Sequence, residues 1–162
     1  MHYLVTGHTG FKGAWLIMLL RSRGHAVSGI SLDPEPGSLF LEAKLENQLN
    51  HDFRIDIRDA EKLLVAVQKI KPDVVIHLAA QPLVRRSYLD PQGTFETNVN
   101  GTLNLLQSVW KTPTVRACLV ITTDKVYRNV NQIAGYKESD ALGGHDPYSA
   151  SKAMADLLTQ SW

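Results

Sequence analysis

This sequence predicts an α/β domain built on a doubly wound parallel sheet. Three observations carry that expectation. Strand-like and helix-like runs alternate from the first residues. A glycine-rich turn, Thr6-Gly7-His8-Thr9-Gly10-Phe11-Lys12-Gly13, joins the first strand to the first helix. The β-branched run Asp73 to Ala79 (DVVIHLA) has the composition of a strand covered on both faces, as helices on either side of a parallel sheet require.

Tyr3-Leu4-Val5 reads as the first strand, and Phe11 to Arg23 as the first helix, stopped by Gly24 in the C-terminal capping place. Ala26 to Ser31 is the second strand. Its loop, Leu32 to Ser38, holds Pro34, Pro36 and Gly37, and a short helical piece follows near Phe40 to Leu45. Phe53 to Ile57 is the third strand. Ala60 to Ile70 is a helix with Leu63, Leu64, Val67 and Ile70 at apolar spacing. After the fourth strand, Thr94 to Trp110 forms one long amphipathic helix and Val115 to Thr122 a fifth strand. Tyr148 opens a final helix running towards Trp162. Repeats, low-complexity tracts and linkers are absent, so residues 1–162 read as one domain. Its last helix would ordinarily lead into another strand.

Composition narrows the function classes. The 162 residues suffice for one well-cored domain. With Lys+Arg 17 against Asp+Glu 16, the net charge of +1 carries no footprint for nucleic acid or an acidic membrane. The single cysteine, Cys118, lies in an apolar run, reads as a packing residue and cannot form an internal disulfide. The apolar run Ala14 to Leu20 is far below membrane-spanning length and lacks the basic leader of a signal peptide. A cytoplasmic protein is the expectation. No His, Cys or carboxylate cluster suggests a metal, and His77 reads as a packed core histidine.

Dinucleotide phosphates need backbone at close range, and glycine alone turns tightly without a Cβ in the way. Gly7 and Gly10 would make the turn and Gly13 would let helix and sheet approach. Thr9, Phe11 and Lys12 complete the cofactor-facing turn, with the helix N–H groups and dipole turned to the pyrophosphate. An acidic residue some twenty positions on reads the adenosine ribose, whereas arginine there accommodates a 2′-phosphate. The second strand ends in Ser31, with Asp33 two residues beyond and no arginine or lysine beside it in the chain. NAD is therefore the expected cofactor.

The TGxxGxxG spacing resembles the short-chain dehydrogenase/reductase superfamily. Asp56-Ile57 resembles its adenine-binding pair, although a capping Asp in a turn explains the local sequence equally well. Leu78-Ala79-Ala80-Gln81 would pass beside the cofactor. Asn98, in Thr97-Asn98-Val99-Asn100-Gly101-Thr102, matches the NVxGT segment of the extended members. Tyr148 and Lys152 stand one helical turn apart. A free tyrosine titrates near ~10, and an adjacent ammonium favours the phenolate, the form able to take a proton from a substrate hydroxyl. Lys152 would also hold the nicotinamide ribose, with Tyr148 beside the same cofactor. Thr123, just after the fifth strand, would complete a Thr/Tyr/Lys triad.

Within the extended enzymes the segment after the threonine differs between activities. Thr123-Asp124-Lys125 is similar to that of the CDP-glucose 4,6-dehydratases, as are the glycine turn and Ala79 to Arg85. Tyr136-Lys137-Glu138 and Leu142 to Ser149 extend the likeness. The resemblance implies a Rossmann-like, three-layer αβα domain lacking the C-terminal substrate domain, since members are about twice this length. It implies NAD-dependent conversion of CDP-glucose to CDP-4-dehydro-6-deoxyglucose: oxidation at C4, water elimination across C5 and C6, and hydride return. Asp124 and Lys125 would serve the C6 hydroxyl and C5 proton, in an order left open. Arg85 and Asn129 would touch substrate, although an exposed loop arginine is an equal account of Arg85. Relatives also imply a homo-oligomer through the helices bearing Asn98 and Tyr148. Residues 130–135 depart from the pattern by lacking a tryptophan-bearing stretch. A truncated NAD-binding module without turnover, and an epimerase or reductase of the same family, are the alternatives.

Overall fold

The computed structural model describes residues 1–162. Five strands form one parallel sheet: β1 (His2–Thr6), β2 (Ala26–Ser31), β3 (Asp52–Arg54), β4 (Val74–His77) and β5 (Ala117–Val120), in the order β3-β2-β1-β4-β5. The order reverses at β1, which pairs with β2 on one side and β4 on the other. Thr6 stands opposite Ile30 and His77, so the glycine turn leaves the sheet between the ends of two neighbouring strands. Such a reversal opens a crevice at the carboxyl ends of the strands, where α/β folds bind their ligands.

Contacts divide the chain into two compact units, residues 1–79 with 104–121, and residues 80–103 with 122–162. The first holds the sheet with α1 (Phe11–Ser22), α2 (Leu39–Glu42), a 3₁₀ turn (Leu45–Gln48) and α3 (Ala60–Ile70). Its core has two parts. Leu4, Ile30, Leu63, Val67, Val75 and Leu105 pack one side of the sheet, and Val5, Ile17, Val27, Phe40 and Leu45 the other. Alternate residues of β1 feed opposite clusters, as the two-residue period of a strand dictates. The second unit holds α4 (Val84–Leu89), α5 (Pro91–Phe95), a π-turn (Glu96–Asn100), a 3₁₀ turn (Asp124–Val126) and α7 (Pro147–Gln160). There α7 packs on α4, α5 and both turns. Helix α6 (Gly101–Trp110) begins in the second unit and ends in the first.

Several expected boundaries shift, each for a local reason. β3 runs from Asp52 to Arg54 rather than Phe53 to Ile57. Ile55 still bonds Ser31, but the Asp56 carboxylate then accepts the Arg58 N–H and turns the chain towards α3, whose N-cap is Asp59. The expected helix from Thr94 starts at Pro91, capped by Asp90, and passes through the π-turn before α6. An Asp-Pro pair is itself a helix-start signal. Val84–Leu89 is helical although its six residues are too few to show a period. β5 is shorter than Val115 to Thr122 because the Val115 N–H closes a turn onto Thr112. Cys118, expected as buried packing, is half-buried on this edge strand. No helix is long and apolar enough to cross a membrane.

Candidate functional site

In the first unit, β1 delivers the glycine turn. Gly7 has φ 72°, left-handed backbone that favours glycine, and a Cβ there would lie 2.7 Å from the Ala79 backbone nitrogen. A Cβ at Gly13 would strike the Gly7 carbonyl oxygen and the His8 backbone. These glycines hold turn, helix and the β4 exit at backbone distance, while Gly10 serves as the N-cap of α1. The cap makes no side-chain hydrogen bond and no acidic residue occupies the first turn, so no side chain caps the first N–H groups of this twelve-residue helix. Phe11 and Lys12 are exposed beside them. The arrangement fits a dinucleotide pyrophosphate.

Behind the turn lies a polar network that sequence reasoning did not anticipate. Thr9 is buried, and its Oγ1 lies 2.7 Å from Ser31 Oγ. Ser31, the last residue of β2, is thereby turned inward. His8 is fully buried against Gly29, with its Nε2 2.9 Å from Asp52 Oδ1. Its Nδ1 has no partner. Arg54 Nη1 lies 3.0 Å from the same Nε2, so His8, Asp52 and Arg54 form one cluster. Burial alone would raise the Asp52 carboxyl. Hydrogen bonds from His8 and Arg54, together with the Arg54 charge, outweigh it and hold the carboxyl below its ordinary range.

Asp33 is exposed at the exit of β2. The chain places no cation beside it, yet the fold does: Arg54 Nε lies 3.6 Å from Asp33 Oδ1. The two meet because β2 and β3 are parallel neighbours and Arg54 pairs in register with Ser31. Asp56 is engaged by Arg58, whose side-chain hydrogen bond is the leading cause holding this carboxyl below its ordinary range. Ile57 is buried in the core. Leu78 and Ala79 leave β4 beside the turn, where the Ala79 N–H bonds Thr6 Oγ1, itself 2.6 Å from His77 Nδ1.

In the second unit, Asn98 is the organising residue. It is buried, its Oδ1 accepts the Gln81 N–H, and its Nδ2 donates to the Gln81 carbonyl and to Ser151 Oγ. One amide thus ties the Ala80-Gln81 segment to the π-turn and to α7. Asp146 caps α7 through the Ser149 N–H, and Pro147 occupies its first turn. The helix carries Tyr148, half-buried, and Lys152, buried, one turn apart. Thr123 caps the 3₁₀ turn that bears Asp124 and Lys125. Its hydroxyl donates to Asp124 Oδ1 at 3.0 Å and accepts the Lys125 N–H. Asp124 and Lys125 are exposed, as is Arg85 on α4. Asn129 Oδ1 accepts from the Tyr136 hydroxyl and the Asn131 N–H, and the Tyr136 ring stacks on Tyr127. Asn129 therefore shapes its own loop. The Asp156 carboxylate, accepting from Thr122, and Ser151 were missed, since neither lies in a recognisable motif.

A parallel sheet with a topological switch at β1 and a glycine cradle there have the form of a dinucleotide-binding domain of the short-chain dehydrogenase/reductase type. Residues 4–162 match the GDP-mannose 4,6 dehydratase family, and the chain belongs to it. It is 46% identical over 159 residues to the CDP-glucose 4,6-dehydratase of Salmonella typhimurium, covering 98% of this chain and 44% of that protein. It is 35% identical over 169 residues to a dTDP-glucose 4,6-dehydratase of Xanthomonas campestris, covering 99% of this chain and 48% of the relative. Among solved structures it resembles DesIV, a dTDP-glucose 4,6-dehydratase from Streptomyces venezuelae with NAD and TYD bound. There the TM-score is 0.87 at 29% identity, over 99% of this chain and 51% of that one. It also resembles the UDP-glucose 4-epimerase of Thermus thermophilus in complex with NAD, with TM-score 0.83 at 28% identity, over 99% and 50%. The chain spans about half the length of the curated relatives it matches.

Proposed function

We propose that this chain supplies the cofactor-binding and acid–base residues of an NAD-dependent nucleotide-sugar 4,6-dehydratase acting on CDP-glucose. The cradle at Gly7, Gly10 and Gly13, closed to a Cβ at Gly7 and at Gly13, is the observation that carries the cofactor half of this reading. The likeness to the Salmonella CDP-glucose 4,6-dehydratase supports the substrate.

Gly7, Thr9, Gly10, Phe11, Lys12 and Gly13 would hold the pyrophosphate, and Asp33 the adenosine ribose. Lys152 and Tyr148 would lie at the nicotinamide ribose. Bound NAD supplies oxidation at C4 and hydride return at C6. Tyr148 takes the C4 hydroxyl proton, helped by the Lys152 ammonium, with the Thr123 hydroxyl as hydrogen-bond partner to the same oxygen. Asp124 and Lys125 share the proton transfers at C5 and C6 that expel water. Arg85 contacts a phosphate or the sugar of the substrate, and the protein self-associates through the second unit, where α7 exposes Met154 and Leu157.

Calorimetric titration with NAD, then with CDP-glucose on the loaded protein, tests the reading. Sequential binding of both supports it. Binding of NAD without CDP-glucose limits the chain to a cofactor module, and failure to bind NAD removes the reading. In a protein of the relatives' full length, Tyr148→Phe is expected to abolish C4 oxidation while NAD still binds. Loss of NAD binding would make the tyrosine structural.

A further inference from the structure

We propose that Arg54 is a positioning residue for cofactor recognition, holding the Asp33 carboxylate where it accepts the 2′-hydroxyl of the adenosine ribose. The inference rests on the NAD reading above and adds a residue to it. Asp33 alone is poorly suited to the task. It lies two residues past the end of β2, and its side chain is 89% exposed. A free surface carboxylate must lose rotamer freedom before it can read a hydroxyl.

Arg54 is already ordered. Both terminal nitrogens of its guanidinium bond the Asp52 carboxylate, and its central carbon sits 5.3 Å above the buried Phe40 ring. Asp52 is fixed in turn by His8, which is locked between the phosphate turn and Gly29. This two-point fork leaves Nε to Asp33, at an ion-pair distance of 3.6 Å. The preorganised guanidinium therefore sets where the carboxylate stands.

The local charge agrees with this role rather than with capture of a 2′-phosphate. Two carboxylates, Asp33 and Asp52, surround one guanidinium, and Asp52 occupies both of its terminal nitrogens. The corner is net negative and would repel a phosphate dianion. Ser31, at the end of β2, is buried and paired with Thr9, which leaves Asp33 as the exposed polar group there.

The test compares binding of NAD with binding of its analogue lacking the 2′-hydroxyl on the adenosine ribose. The wild-type chain is expected to prefer NAD about tenfold, the worth of one hydrogen bond to a charged acceptor. Arg54→Gln should lower that preference at least threefold. Asp33→Asn, at an exposed position that cannot unfold the domain, should do the same, and Arg54→Gln added to it should change nothing more. Arg54→Lys, which lacks the fork, gives the same result if the glutamine variant is unstable. A purely structural role for Arg54 weakens both ligands equally and leaves the preference intact, which overturns the proposal. So does a wild-type preference below threefold. Failure to bind either ligand would instead remove the NAD reading itself.

Discussion

At the scale of single residues, steric closure decides more than hydrogen bonding. Gly13 is buried where a methyl group would meet backbone on two sides, and backbone cannot move aside as a flexible side chain can. Gly13→Ala should cost about 1–3 kcal/mol of stability, as overpacking does. A fall in melting temperature with weakened NAD binding would confirm it, and an unchanged melt would show that the turn relaxes. Cys118 offers a second test. Burial pushes its thiol up to about 11. The thiolate is the reactive form, so alkylation by iodoacetamide at pH 8 should be on the order of a hundredfold slower than for a free cysteine. Rapid labelling under native conditions would mean that the β5 edge opens. The glycines were readable because their chemistry is local. Arg54 was not, because its role arises from the pairing of two strands whose partners lie more than twenty residues apart.

Elements show where local signals ran short. The glycine turn, β2 and α3 follow their expected spans because cap, period and breaker coincide there. The segment from Val84 to Trp110 divides into α4, α5, a π-turn and α6, where the sequence suggested one helix from Thr94. The π-turn carries Asn98, and such turns occur often at functional positions. Its amide meets three partners on two other segments, Gln81 and Ser151. Asn98→Ala should leave the Gln81 N–H and the Gln81 carbonyl short of a partner, while the Ser151 hydroxyl keeps its bond to the Tyr148 carbonyl, at a cost of about 1–3 kcal/mol for each buried group left unsatisfied. Faster hydrogen exchange at Gln81 would report it. Unchanged protection there would show that water replaces the amide.

On the scale of the molecule, charge pairing sets the response to acid. Asp52 and Asp56 are both held below the ordinary carboxylate range in the folded state. A depressed folded value contributes stability that is complete above the unfolded carboxylate value, about 4. That contribution is lost as pH falls through the lower folded value. Denaturant melts should therefore show stability declining below about pH 4, with a shallower decline in Asp52→Asn. An equal slope in that variant would mean that the network with His8 and Arg54 carries no acid sensitivity. The sequence by itself determined the parallel α/β class, the glycine cradle, the Tyr148/Lys152 spacing and the family, because each is written in short-range periodicity, in residues chosen for backbone freedom, or in contiguous motifs. Only the tertiary structure decided that Arg54 stands beside Asp33, that His8 and Asp52 brace the turn from behind, and that Asn98 joins three segments. Those contacts are made between strands and helices distant in the chain, and their partners are chosen by sheet register and packing rather than by spacing.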